Sequence, residues 1–92
     1  MATPYHALFY DYVENALEAR VPHRGAHLAL VGRYVDDGLI AMAGALGQPP
    51  HGGLLIFRGD DPAPAERFAG EDPYVSEGVV TSWRVEPWKV VT

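Results

Sequence analysis

The succession of strand-like and helix-like patterns, β-α-β-β-α-β, predicts an α+β fold: a four-stranded antiparallel sheet with both helices packed on one face. Three observations carry this expectation. An aromatic, β-rich run opens the chain at Tyr5–Val13, an apolar period of 3.6 residues begins near Arg24, and an acid–proline pair, Asp72-Pro73, stands where a second short helical pattern runs out. The 92 residues, 48% of them apolar, suffice for one core and are too apolar for a disordered chain.

In the first strand, Tyr5, Ala7, Phe9 and Val13 point one way and His6, Leu8, Tyr10 and Tyr12 the other. Both faces are largely apolar, which predicts a sheet covered on both sides. Glu14–Val21 reads as a loop with a helical turn, limited by Pro22. From Arg24 the pattern turns helical, with Leu28, Val31 and Val35 at i, i+3, i+7, flanked by His27, Leu30 and Tyr34. Asp36-Asp37-Gly38 ends this helix, the glycine suiting a left-handed cap.

Leu39–Leu46 reads as the second strand, with small residues around Gly44 where another group can approach closely. Gly47–Gly53 forms the hairpin loop and Leu54–Arg58 the third strand. Asp60-Asp61-Pro62 supplies an acidic cap and a proline at the first helical position. The short helix that follows runs to about Ala69, burying Ala65, Phe68 and Ala69. After the Asp72-Pro73 turn, Val79–Val85 is the last strand, closed by Pro87-Trp88. Right-handed crossovers give the sheet order 4-1-3-2, the ferredoxin-like arrangement. Its helices cover one face only, so a second copy of the sheet is the expected cover for the other, and the chain is expected to form a homodimer.

Composition narrows the function. A net charge of −5 with seven scattered Lys and Arg argues against nucleic acid as a partner. No apolar run reaches the roughly 20 residues of a membrane span, and no secretory signal pattern precedes the first strand. The lack of cysteine rules out disulfides and thiolate metal sites, and fits a reducing, cytoplasmic setting. Gly44-Ala45-Leu46-Gly47 lacks the spacing of a dinucleotide site.

Chemistry rests on few residues. Pro73 pushes Asp72 out of the helical region and holds it extended; His27 sits on the inner edge of an otherwise apolar helix. An imidazole exchanges protons near neutrality, and a carboxylate on one ring nitrogen would set its tautomer. Asp72 fits equally a cap for the turn that starts at Pro73, and His27 a half-buried helix residue. Arg20 suits an anion clamp or an ion pair with Glu18 or Asp72. Tyr10, Tyr12, Tyr74, Trp83 and Trp88 suit either a pocket for an aromatic ligand or core and interface positions. Ser76 suits a hydrogen bond to a ligand or to its own turn. His23 and His27 are four apart, but no glutamate completes a metalloprotease pattern and Gly25 weakens the helix between them, so no metal or other cofactor is expected. His51 reads as a solvated loop residue or part of a lid, and His6 as a strand-face residue near the chain start.

Taken together, Arg20, Arg24-x-x-His27, Gly38-Leu39-Ile40 leading to Ala43-Gly44, Asp72-Pro73-Tyr74 with Gly78, and Glu86-Pro87-Trp88 resemble the YCII-related (YciI-like) proteins of the dimeric α+β barrel group. The match spans residues 1–92 as a single YCII-like domain, departing at Pro49–Gly53. The resemblance implies that His27 and Asp72 form an active-site dyad, and points to elimination of chloride from hydroxylated chloroaromatics or isomerisation of lactones as related chemistries. The expected site is therefore His27 and Asp72 as the acid/base pair, with Arg20, Gly44, Tyr74 and Ser76 contacting a small organic, aromatic or lactone-like substrate and no cofactor. The alternative is a non-catalytic, ligand-binding or regulatory dimeric module.

Overall fold

The computed structural model describes residues 3–92. Its elements are β1 (Thr3–Tyr12), α1 (Ala16–Ala19), a 3-10 turn (Val21–His23), α2 (Arg24–Asp36), β2 (Ile40–Leu46), β3 (Gly52–Arg58), α3 (Ala63–Glu71), α4 (Pro73–Ser76) and β4 (Val80–Val90). The strands form one antiparallel sheet in the order β2-β3-β1-β4, the 4-1-3-2 arrangement expected of a ferredoxin-like α+β fold.

Alternation along β1 sorts the core. Leu8 and Tyr10 are buried beneath the helices with Leu30 and Tyr34 of α2, Phe57 of β3, Phe68 of α3 and Tyr74 of α4. Tyr34, Phe57 and Phe68 meet edge to face, with centroids 5.1–6.2 Å apart, the geometry that ring quadrupoles favour. Phe68 is fully buried, so its truncation to alanine would cost about 3–5 kcal/mol.

On the opposite face, β1 sets Ala7 beside Ile56 and Glu86, and Phe9 beside Leu54 and Arg84. The Arg84 guanidinium lies 4.1 Å from the centre of the Phe9 ring. Met42 and Trp88 stand exposed at the flanks, and Trp88 leans on Tyr5 at 6.4 Å. Among the described residues no helix covers this face.

Several boundaries differ from the sequence reading, each for a local reason. The last strand continues through Pro87 to Val90 instead of stopping at Val85. It is an edge strand, where a missing N–H on the outer side breaks no ladder bond. Helix α3 begins one residue later than expected: Pro62 is its cap position, and Asp61 accepts a hydrogen bond from the Ala63 amide at 2.9 Å. The close approach expected at Gly44 occurs elsewhere, since a Cβ at Gly44 would meet nothing within 4 Å, whereas one at Gly52 would lie 2.4 Å from the Tyr10 carbonyl oxygen. Gly52 therefore extends β3 against β1 at the point where Tyr10 must sit. Gly38 does adopt the left-handed conformation expected of a cap, at φ 77°, and the Leu39 amide donates to the Tyr34 carbonyl at 2.9 Å.

Candidate active site

Asp72 caps the end of α3 and the start of α4, between Glu71 and Pro73. Its backbone lies at φ −77°, ψ 121°, the extended region that a following proline imposes. This turns the carboxylate inward, where the residue is 1% exposed. Oδ1 accepts the Tyr74 amide at 3.0 Å, and Oδ2 accepts the Tyr10 hydroxyl at 2.7 Å. His27 Nδ1 lies 2.9 Å from Oδ2 and 3.0 Å from Oδ1. A buried carboxylate needs its lone pairs matched, and these three donors match them. The two sequence readings of Asp72, turn cap and histidine partner, thus describe one carboxylate doing both.

His27 reaches Asp72 because it shares the buried stripe of α2 with Leu30 and Tyr34, three and seven positions further on. Its ring lies flat on Tyr74, with centroids 3.8 Å apart and planes 1° from parallel, while the edge of Phe68 meets it at 6.3 Å. Stacking on one side and an edge contact on another fix the ring's orientation. With a carboxylate opposite Nδ1, that nitrogen carries the hydrogen, and in the neutral imidazole the lone pair lies at Nε2.

His27 also lines a cleft of about 250 Å³. Its walls come from Arg20 after α1, from α2 (Arg24, Leu28, Val31), from β2 (Ala43, Gly44, Ala45), and from Tyr12, Leu55 and Tyr74. Three of the four expected substrate-contact residues, Arg20, Gly44 and Tyr74, therefore border the same space as His27. Ser76 does not; it is exposed, and its hydroxyl sits 3.4 Å from the Pro73 carbonyl within the turn of α4. Trp83 and Trp88 lie on β4, away from the cleft, and His51 is exposed in the hairpin loop. His6 bonds through Nδ1 to the Gly59 carbonyl at 2.9 Å.

Burial, then the charge of Asp72 and the hydrogen bond to it, push the Tyr10 hydroxyl far above the usual tyrosine range. Tyr10 is thus a permanent donor to Asp72. Tyr12 is also raised, chiefly by burial and then by Tyr74, with Arg20 pulling the other way, Asp72 adding to the rise and Arg24 opposing it. The Tyr74 hydroxyl is buried without a hydrogen-bond partner among the described residues.

The sequence reading missed Tyr10 as the second partner of Asp72, and Arg24 as a wall of the cleft. A signal for Tyr10 existed: alternation in β1 places it on the same face as Leu8, beneath the helices. Among the described residues no three His, Cys, Asp or Glu side chains are grouped to hold a metal ion, and no helix is long and apolar enough to cross a membrane.

Comparison with solved structures finds the same fold elsewhere. The chain is similar to 5-chloro-2-hydroxyhydroquinone dehydrochlorinase from Burkholderia phenoliruptrix AC1100, solved in complex with 2,5-dihydroxybenzoquinone. The TM-score is 0.75 at 20% identity, covering 92% of this chain and 93% of that one. It is also similar to a dimeric ferredoxin-like protein from an uncultured marine organism, with a TM-score of 0.54 at 14% identity, covering 100% of this chain and 90% of the other. At such identities the likeness is one of fold. No curated protein matches the chain significantly. The sequence profile of the YCII-related domain matches residues 5–89, and the chain belongs to that family.

Proposed function

We propose that the protein is a cofactor-free enzyme in which His27 is the general acid/base and Asp72 its orienting partner, acting on a small aromatic or lactone-like substrate. The observation that supports this best is the 2.9 Å contact between His27 Nδ1 and Asp72, which leaves Nε2 for the cleft. In this reading Nε2 removes a proton from a substrate hydroxyl or carbon. The electron pair left behind expels a leaving group or shifts a double bond; the imidazolium, balanced by Asp72, then gives the proton to solvent or the departing group in an elimination, or to the carbon at the far end of the shifted double bond in an isomerisation. Arg20, Gly44 and Tyr74 would contact the substrate. The chloride-eliminating neighbour of similar fold makes elimination the first reaction to assay, by analogy only.

The test is turnover across hydroxylated chloroaromatics and unsaturated lactones, followed by chloride release and ultraviolet absorbance. His27→Ala should lower the rate about 10²–10⁴-fold, the usual worth of a positioned acid/base group. Full activity in His27→Ala overturns the dyad. Ligand binding with no turnover, unaffected by His27→Ala, would establish the binding-module reading instead.

The same proposal includes a homodimer in a cytoplasmic setting, the second copy covering the sheet face that carries Ala7, Phe9, Leu54 and Ile56. Support comes from the exposed apolar flank of that face, where Met42 is 67% and Trp88 46% exposed. An interface above about 1,000 Å² is expected. A folded monomer in sedimentation at micromolar concentration would exclude it.

A further inference from the structure

We propose that Arg20 and Arg24 form a carboxylate-binding subsite at the mouth of the His27 cleft, so that the ligand is a small planar carboxylate rather than a neutral phenol. This rests on the reading of the cleft as the functional site and adds the class of ligand that it takes. In a chain of net charge −5, both arginines line one cleft. Among the described residues neither forms an ion pair or a side-chain hydrogen bond, whereas Arg58, Arg67 and Arg84 are each engaged with a carbonyl, a tyrosine oxygen or a carboxylate.

The same pair also lines an adjoining cavity of about 350 Å³ that reaches Gln48 and Pro50. The arginines therefore stand between the His27 cleft and the hairpin loop, where a charged substituent would leave a ring. The ring itself has an apolar wall in Leu28, Val31 and Leu55. The field of both arginines reaches inward as far as the Tyr12 hydroxyl, whose proton affinity each of them lowers. Guanidinium groups pair planar carboxylates through two parallel bonds, and a local positive mouth on an acidic protein draws anions in. A ring-sized volume with an apolar wall and two free guanidiniums at one end selects for one small anion.

The experiment is calorimetric titration of the intact protein with 2,5-dihydroxybenzoate and with hydroquinone, its neutral counterpart, at pH 7. The benzoate should bind at least about tenfold more tightly, as expected for charge-assisted bonds. Arg20→Gln combined with Arg24→Gln should abolish that advantage, so that the benzoate binds no more tightly than hydroquinone. Arg33→Gln, which removes an exposed charge from α2 outside the cleft, should keep it. If the double variant is unstable, each single substitution should cut the advantage in part. Equal affinity for both probes, binding of neither, or an advantage that survives the arginine substitutions overturns the subsite. Because the readout is binding, loss of the anion preference leaves the His27–Asp72 proposal standing, and an active His27→Ala leaves the subsite standing.

Discussion

Glu71 and Asp72 are neighbours in sequence, both carboxylates at the end of α3, and each accepts a hydrogen bond from a tyrosine hydroxyl. Their surroundings differ completely. Glu71 is the last helical residue, exposed, and its donor Tyr34 is shared with Arg67, whose Nε donates to the phenol oxygen at 3.2 Å. Asp72 has left the helix, is 1% exposed, and gathers Tyr10, His27 and the Tyr74 amide. One position along the chain separates a solvated surface network from a sealed one, because Pro73 turns Asp72 into the interior. The comparison teaches that a carboxylate's worth here depends on what replaces its water. Solvent can restore a partner to Glu71 but not to Asp72.

The largest expected contrast comes from removing each acid. Asp72→Ala leaves His27 and the Tyr10 hydroxyl without their acceptor inside the protein and should cost about 3–5 kcal/mol. Glu71→Ala should cost less than about 1 kcal/mol. Urea unfolding of the two variants measures both, and similar losses would show that the Asp72 network is not sealed.

Removing only the hydroxyls sharpens the contrast. Tyr10→Phe strips one donor from a buried carboxylate and should cost about 1–3 kcal/mol. Tyr34→Phe, whose acceptor is open to water, should cost about 0.5–1 kcal/mol. Equal effects would show that burial of the acceptor does not raise the cost of losing its donor.

The smallest effect lies at alkaline pH. Both hydroxyls are raised above the ordinary tyrosine value of 10.0, each by burial first, then Tyr10 by the charge of Asp72 and Tyr34 by its bond to Glu71. The native state therefore holds protons that the unfolded chain releases near pH 10.0. Stability from these groups is complete below that pH and falls as pH rises beyond it. The unfolding free energy should be flat to about pH 9 and decline above pH 10. Tyr10→Phe should flatten that decline more than Tyr34→Phe, as read from urea midpoints against pH; the reverse order would place the stronger proton linkage at the surface pair.

Much of the fold was legible because it depends on patterns that are local in sequence. Two-residue alternation in β1, the helical period of α2 and the left-handed Gly38 each dictate local backbone geometry, and the strand order follows from the connections between elements. Edge tolerance of Pro87 was not legible, since being at an edge is a property of the assembled sheet. On α2 the stripe expected to face inward, Leu28, Val31 and Val35, is not the buried one: Leu28 and Val35 are 48% and 47% exposed, and Leu30 and Tyr34 are buried instead. The site divides in the same way. Pro73 makes Asp72 extended whatever surrounds it, and helical spacing puts His27 in line with that buried pair. Their meeting across 45 positions, the stacking of His27 on Tyr74, the arrival of Tyr10 from the central strand, and the pairing of Arg20 with Arg24 along one cleft arise only when α2, α4 and the sheet pack together. Sequence determines which conformations each short segment can hold; distances between segments, and the exclusion of water that gives a buried carboxylate its strength, exist only in the tertiary structure.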